Sequence, residues 1–352
     1  GRERRGVALV LAGPAVAGGL VQAALFPEGG TDRFAATAFW PMLLACLAAL
    51  ALVDPRRRVL LVAGGLYVAM LVAAFALPSP VGQNALRPGA LLGLPLLVLA
   101  ARPRSAPYVA VVGAVLLYLQ WLPAVRAVAE ARGDPSTQRA YHAEVVSFLR
   151  VHSAPGDRVE VPLTRNHWEA AYLARVVPLA RGWHRQLDRK VAPLFYDGRR
   201  LSAERYTAWL WRSGVRWVAL PAVPLDFSAR QEAALLRRGL PALHLVHRSA
   251  RWTIWRVDGS VPVASGPARV SALRLDGFDL VAHGTGTVIV RERFTPYFRL
   301  VRGTGCVRRS RAGWTAVRVD RPGRISVTAK FSAAGALRPA RRCRSPDQAD
   351  AS

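Results

Sequence analysis

Lysine is nearly absent from this sequence: Lys190 and Lys330 are the only two among 49 basic residues in 352. The remainder is arginine, and with the abundant alanine this matches the bias of a GC-rich bacterial genome. Acidic residues are scarce as well, 22 in all, so the formal net charge is +27 at pH 7. A balance this basic suits nucleic acid, anionic lipid headgroups or acidic envelope polymers. No recognition-helix, zinc-finger or RNA-binding signature accompanies the charge, which argues against nucleic acid. Cysteine appears three times, and no metal-ligand spacing accompanies it. His244 and His247 fall in an expected strand, where positions i and i+3 face opposite ways. No metal or other cofactor is expected. There is no nucleophile elbow and no phosphate-binding glycine loop.

What the chain has in quantity is apolar sequence. Residues 7–26, 34–53, 59–77 and 107–125 are each long enough to cross about 30 Å of hydrocarbon as a helix. A fifth segment, 89–101, is short. Counting back to 85 lengthens it to 85–101 but takes in Arg87 and Pro88. It reads as a span that starts at the interface, with a re-entrant or buried segment as the alternative. No other charge lies inside these segments, which disfavours a transporter.

The connecting loops alternate in charge. Arg2, Arg4 and Arg5 precede the 7–26 segment, Arg56, Arg57 and Arg58 follow 34–53, and Arg102 and Arg104 follow the short fifth segment at 85–101. The intervening loops hold Glu28, Asp32 and Arg33, or Arg87 alone. Arginine-rich loops stay cytoplasmic, so five spans place everything after residue 125 outside. Without the fifth span, the Arg102–Arg104 loop would break the charge rule. The first segment has the basic start of a signal peptide, but its apolar run is too long and more spans follow. The chain lacks an initiating methionine, and further N-terminal spans are expected before it.

After the membrane block the pattern changes. Residues 136–151 read as an amphipathic helix with Tyr141, Val145, Phe148 and Leu149 on one face, capped by Ser136 or Thr137. Helices at 167–174, 201–212 and 227–238 alternate with strands at 157–163, 215–220, 243–247 and 252–257, the signature of an α/β layer domain. Beyond a linker at 259–267, short strands at 270–275, 278–282, 287–293, 297–302, 315–319 and 324–331 suggest a small antiparallel sandwich. The expected fold is an α-helical membrane bundle of about five spans (1–125), an extracytoplasmic α/β domain (126–260), a β-sandwich (268–331) and a disordered tail (332–352). Cys46 lies in a span. Cys306 and Cys343 lie outside, where a disulfide between them would persist.

Three places can carry chemistry. The densest polar and aromatic cluster is Arg-Asn-His-Trp-Glu at 165–169 with Arg-Gly-Trp-His-Arg-Gln-Leu-Asp at 181–188. Sugars are held by aromatic faces and by planar amide, carboxylate and guanidinium groups. Asn166, His167, Trp168, Glu169, Trp183, Gln186 and Asp188 supply these, and Arg181 and Arg185 suit a phosphate. The competing reading is a buried ion-pair network. The second place is Asn84 and Arg87 in an outward loop, suited to a lipid-linked phosphate or, equally, to an interfacial anchor. The third is Glu28 and Asp32, a base or metal ligand against the commoner solvated loop.

The Gly-Gln-Asn-Ala-Leu-Arg run at 82–87, the stretch 178–188, and 206–226 with Gly-Val-Arg-Trp-Val-Ala-Leu-Pro resemble the C-terminal half of large actinobacterial membrane proteins. Those are mostly uncharacterised and are similar to the GT-C superfamily of polyprenyl-phosphate-sugar glycosyltransferases. Phe-Thr-Pro-Tyr-Phe at 294–298, Gly313-Trp314 and Pro322-Gly323 resemble the β-sandwich that closes several of them. The resemblance covers about residues 34–331. It implies a site at the outer membrane face, with lipid, polyprenyl-phosphate-linked sugar and envelope polysaccharide as partners. It also implies a catalytic aspartate in the first outward loop of the whole protein, a position that Glu28 and Asp32 do not match. A non-catalytic envelope-polymer-binding or scaffold protein is the alternative.

Overall fold

The computed structural model describes residues 2–26 and 29–332. Glu28, Cys343 and the tail from 333 onward lie outside the described residues. The helices are α1 (Arg2–Leu25), α2 (Ala36–Leu52), α3 (Arg58–Ala76), α4 (Leu86–Ala100), α5 (Ala106–Ala131), α6 (Arg139–His152), α7 (Trp168–Tyr172), α8 (Arg185–Val191), α9 (Ala203–Arg212) and α10 (Arg230–Arg238). The chain divides into two units. One comprises Gly29–Thr137 and His184–Pro193, the other Gly1–Glu28, Gln138–Trp183 and Leu194–Ser352.

The helical unit is built around α2. Its Phe39, Met42, Leu43 and Cys46 are buried with Leu71 of α3, Leu97 of α4 and Leu116 of α5. The Phe39 and Phe75 rings stack with centroids 4.0 Å apart. Polar turns set the helix ends: Asp54 Oδ1 accepts from the Arg56 N–H at 2.8 Å in the turn before α3, and Pro103 opens the short 3-10 turn that leads into α5. Two helical stretches, Arg58–Ala76 and Pro103–Ala131, are long and apolar enough to cross a membrane. Only 11% of each apolar window is buried, whereas a soluble core helix would hide most of it. Leu44, Val62, Leu66, Leu91, Leu99, Val111 and Trp121 are exposed, so apolar side chains cover much of the outer faces. At 17 and 15 residues, α2 and α4 rise only about 26 and 22 Å, short of the usual span.

The second unit contains three four-stranded β-sheets. A four-stranded sheet is formed by β1 (Val159–Glu160), β2 (Trp217–Pro221), β3 (Leu243–Arg248) and β4 (Trp252–Val257), in the order β1-β2-β4-β3. The β1–β2 pair is parallel and the others antiparallel. The two-residue periodicity of β2 sorts its side chains: Val218 and Leu220 pack with α9 and α10, while Trp217 and Ala219 pack with α6. Both faces of the strand are covered, which accounts for its full burial. The remaining strands are β5 (Ala264–Ser265), β6 (Ala268–Arg274), β7 (Gly277–Ala282), β8 (Gly286–Arg293), β9 (Phe298–Arg302), β10 (Gly305–Arg309), β11 (Trp314–Val319) and β12 (Gly323–Ala329). They form two sheets, β10-β11-β8-β5 and β6-β7-β12-β9. Phe278, Leu280, Val288, Val290, Val317 and Val327 share one core between them. Arg158, just before β1, donates to the carbonyls of Ser213 and Arg291 at 2.8 Å and pairs with Glu292, tying the α/β layers to the sandwich. In the same unit, Phe26 beyond α1 stacks on Phe331, with centroids 5.6 Å apart.

Several expectations need correction. The strand expected over 157–163 is only two residues long, and α6 starts at Arg139 with Gln138 at its cap position. Ser136 and Thr137, the expected caps, instead bond to Asp134 in the preceding turn. The sandwich core begins at Val263 rather than 268. Strands β5 and β10 and helix α8 had no counterpart in the sequence reading.

Candidate functional site

The site is a loop held from two sides in the helical unit. Residues Gly82–Ala85 form a single 3-10 turn that runs directly into α4. Gly82 has φ of +41°, and its N–H donates to Ser79 Oγ at 3.3 Å. The Gln83 N–H donates to Asp32 Oδ2 at 3.2 Å, and Asp32 N–H donates to the Ser79 carbonyl at 3.0 Å. From the other side, Gln186 on α8 donates its amide to the Pro80 carbonyl at 3.1 Å. Lys190 reaches the Gly29 carbonyl at 3.4 Å. Below the turn, the Tyr67 hydroxyl donates to the Ala85 carbonyl at 2.9 Å and accepts from the Gly89 N–H at 3.0 Å. The backbone of 79–89 is thus fixed by groups from α3, α8 and the 29–33 loop.

Two side chains stand out from this fixed backbone. Asn84 and Arg87 are both exposed, and Arg87 has no ion-pair partner among the described residues. Pro88 and Gly89, next along the chain, line an apolar groove of about 230 Å³ between α2, α3 and α4. Its walls run from Tyr67 and Gly89 to Val53, Leu60 and Ala100, with Cys46, Gly64 and Leu92 between. Along α4 that is about 18 Å of helix. An exposed cation carried one residue before an apolar groove can hold an amphiphile by its anionic head.

The other sequence candidates are divided between the two units. Arg185, Gln186 and Asp188 lie on α8 in the helical unit, with Asp188 buried. Asn166, His167, Trp168, Glu169, Arg181 and Trp183 belong to the other unit. There, Glu169 turns inward and takes hydrogen bonds from the Thr164 N–H and hydroxyl. This clasp closes the turn in which His167 has φ of +58°, the one positive φ outside glycine among the described residues. Arg181 is buried, 3.4 Å from Glu232 and 3.9 Å from Glu160, with its guanidinium 3.8 Å from the Phe195 ring centroid. Tyr206 donates to Glu232 at 2.7 Å, and burial beside that carboxylate pushes its phenol well above the ordinary value. Arg181 and Glu169 are therefore internal ties, unavailable to a sugar or phosphate as the protein stands. Trp183, by contrast, is 63% exposed. Cys306 is disulfide-bonded and Cys46 is free.

The sequence reading missed the larger cavity. A cleft of about 690 Å³ lies between α6 and the segment 171–176, lined by Arg139, His142, Arg150, Tyr172 and Arg175. Its signal was present: positions 139, 142, 146 and 150 recur at helical spacing. They flank the Tyr141–Val145–Leu149 face, grading from buried His142 and half-buried Val146 to exposed Arg139 and Arg150.

No protein-family model, no curated protein and no solved structure matches this chain.

Proposed function

We propose that this chain is a multi-pass membrane protein that binds a polyprenyl-phosphate-linked sugar, as the C-terminal part of a GT-C-like glycosyltransferase. The observation that supports the reading is the conjunction of Arg87, which has no ion-pair partner among the described residues, with the apolar groove that begins at its neighbour Pro88. In this reading α1 to α5 all enter the bilayer. The short helices α2 and α4 are accommodated by local thinning and by the interfacial start of α4. The arginine-rich loops lie inside, which places the 79–87 turn and everything after α5 outside.

The prenyl chain occupies the groove and Arg87 grips the phosphate, with Asn84 as a second donor. Transfer is a direct displacement. The acceptor oxygen attacks the anomeric carbon, the bond to the phosphate oxygen breaks, and the polyprenyl phosphate leaves. The acceptor proton passes to a carboxylate, contributed from outside this chain. Arg87 stabilises the charge that develops on the leaving phosphate. In the second unit, Trp183, Trp168 and Asn166 are groups suited to a sugar, and Cys306 pairs with Cys343.

The test is photo-crosslinking with a polyprenyl phosphate that carries a diazirine near the head. Labelling is expected on residues 82–93, with competition by unlabelled lipid phosphate but not by the free polyprenol. Labelling spread evenly over all apolar helices, or unaffected by competitor, would remove the groove from the account.

A further inference from the structure

The cleft on α6 has a chemistry of its own, separate from the lipid groove. Three guanidiniums reach it from two segments, Arg139 and Arg150 three turns apart on α6 and Arg175 beyond α7. None of the three has an ion-pair partner among the described residues, and no carboxylate lines the cleft. Like charges gathered in one concavity raise the local potential for an anion. A plain solvated face would scatter its cations over a convex surface and mix them with acids. The floor is apolar and small-sided, with Val146, Ala171 and Val176, and the volume of about 690 Å³ lies within the range of small-ligand sites.

We propose that this cleft binds an anionic oligosaccharide, a stretch of glycan bearing carboxylates or phosphates. Guanidinium forks meet carboxylate or phosphate oxygens in pairs, and valine and alanine side chains accept the C–H faces of sugar rings. The aromatic content argues against nucleic acid. Single-strand binders stack successive bases on free aromatic faces, and the one tyrosine here, Tyr172, is already stacked on His142 at 4.7 Å and on Trp168 at 6.2 Å. The ligand is polymeric rather than a lone anion, because Arg139 and Arg150 are separated by about 16 Å along the helix axis, the span of several sugar units.

The experiment uses the full chain in nanodiscs and a fluorescent hexagalacturonate, with maltohexaose as the neutral control. The triple variant Arg139→Gln, Arg150→Gln, Arg175→Gln is compared with an equal charge change at Arg311, Arg321 and Arg324 on the sandwich. The cleft triple should weaken binding about ten-fold or more, from the loss of charge-assisted hydrogen bonds, and the sandwich triple less than about two-fold. Ala143→Trp, which fills the cleft and keeps the charge, should also weaken binding. Arg87→Ala should leave it intact, so failure here is separable from failure of the lipid site. Equal weakening by both triples, no effect of Ala143→Trp, or tighter binding of single-stranded DNA or anionic vesicles at the same residues would overturn the assignment.

Discussion

Asp32 and Gln83 stand 51 positions apart, yet the Asp32 carboxylate accepts the Gln83 backbone N–H at 3.2 Å. The bond closes the first loop of the helical unit on the turn that carries Asn84 and leads into Arg87 on α4. It makes Asp32 a positioning residue for that turn.

Removing that acceptor should loosen the turn without unfolding the helices. Asp32→Ala is expected to cost about 1 kcal/mol locally and to speed hydrogen exchange at Gln83 and Gly82. Asp32→Asn keeps a carbonyl acceptor and should retain most of the protection. Unchanged exchange in Asp32→Ala would show that the bond does not hold the turn.

Two glycines are required by close approach. A Cβ on Gly82 would sit 2.4 Å from the Asp32 carbonyl oxygen, and one on Gly30 would sit 2.1 Å from that of Gln186. Gly82→Ala also strains a backbone at φ of +41°. Each substitution should destabilise the helical unit by about 1–3 kcal/mol, read as a lower melting temperature in detergent. Gly65→Ala, which meets nothing within 4 Å, should be neutral or slightly stabilising.

The buried Arg181 cluster predicts a different outcome. Arg181→Leu leaves Glu160 and Glu232 without their cation, at a cost of about 3–5 kcal/mol. Tyr206→Phe removes one donor to Glu232 and should cost about 1–3 kcal/mol. Denaturant midpoints would measure both, and the molecules that fold should bind lipid phosphate normally. A selective loss of ligand binding with unchanged stability would return Arg181 to the list of site residues.

Glu144 should make stability depend on acid pH. Burial raises its pKa, but hydrogen bonds with Ser249 and His247 and the nearby positive charge outweigh this and hold it below the ordinary value of 4.5. A carboxylate depressed in the folded state stabilises the protein fully above its unfolded pKa. That stabilisation is lost as pH falls through the folded value. Glu144→Gln should therefore flatten the decline in unfolding midpoint below about pH 4.5 and lower the midpoint at neutral pH. The carboxylate is part-exposed, so the effect is small, under about 1 kcal/mol. An identical acid limb in the variant would contradict it.

How much of this was legible depended on whether the signal was local. Helices α2 to α5 were readable because prolines and arginines punctuate long apolar runs. Strand β4 was readable because Trp252, Ile254 and Val257 pack apolar side chains between a turn and a glycine. Helix α8 was not, since Leu187 and Val191 are its only apolar positions and a polar cluster surrounds them. Strand β10 carries Cys-Val-Arg-Arg, with no alternation to reveal it. Asn84 and Arg87 were expected together in a loop; Asn84 lies in the 3-10 turn, Arg87 falls in the first turn of α4, and what fixes this backbone was not legible. Asp32 and Gln186 act on backbone groups 51 and 106 positions away, and nothing in side-chain pattern encodes such contacts. The 165–188 cluster offered two readings, a sugar site and a buried ion-pair network: Glu169 and Arg181 point inward into such ties, and α8 belongs to the other unit, a division that residue type and spacing do not encode.

The most direct test of the central claim is the equilibrium binding of a fluorescent polyprenyl phosphate to the full chain in nanodiscs, with the free polyprenol as control. The account predicts saturable binding of the phosphate, none of the alcohol at the same concentration, and about ten-fold or greater weakening in Arg87→Ala, the loss of one charge-assisted contact. Equal binding of phosphate and alcohol, or an Arg87→Ala variant that binds as the parent does, would contradict it.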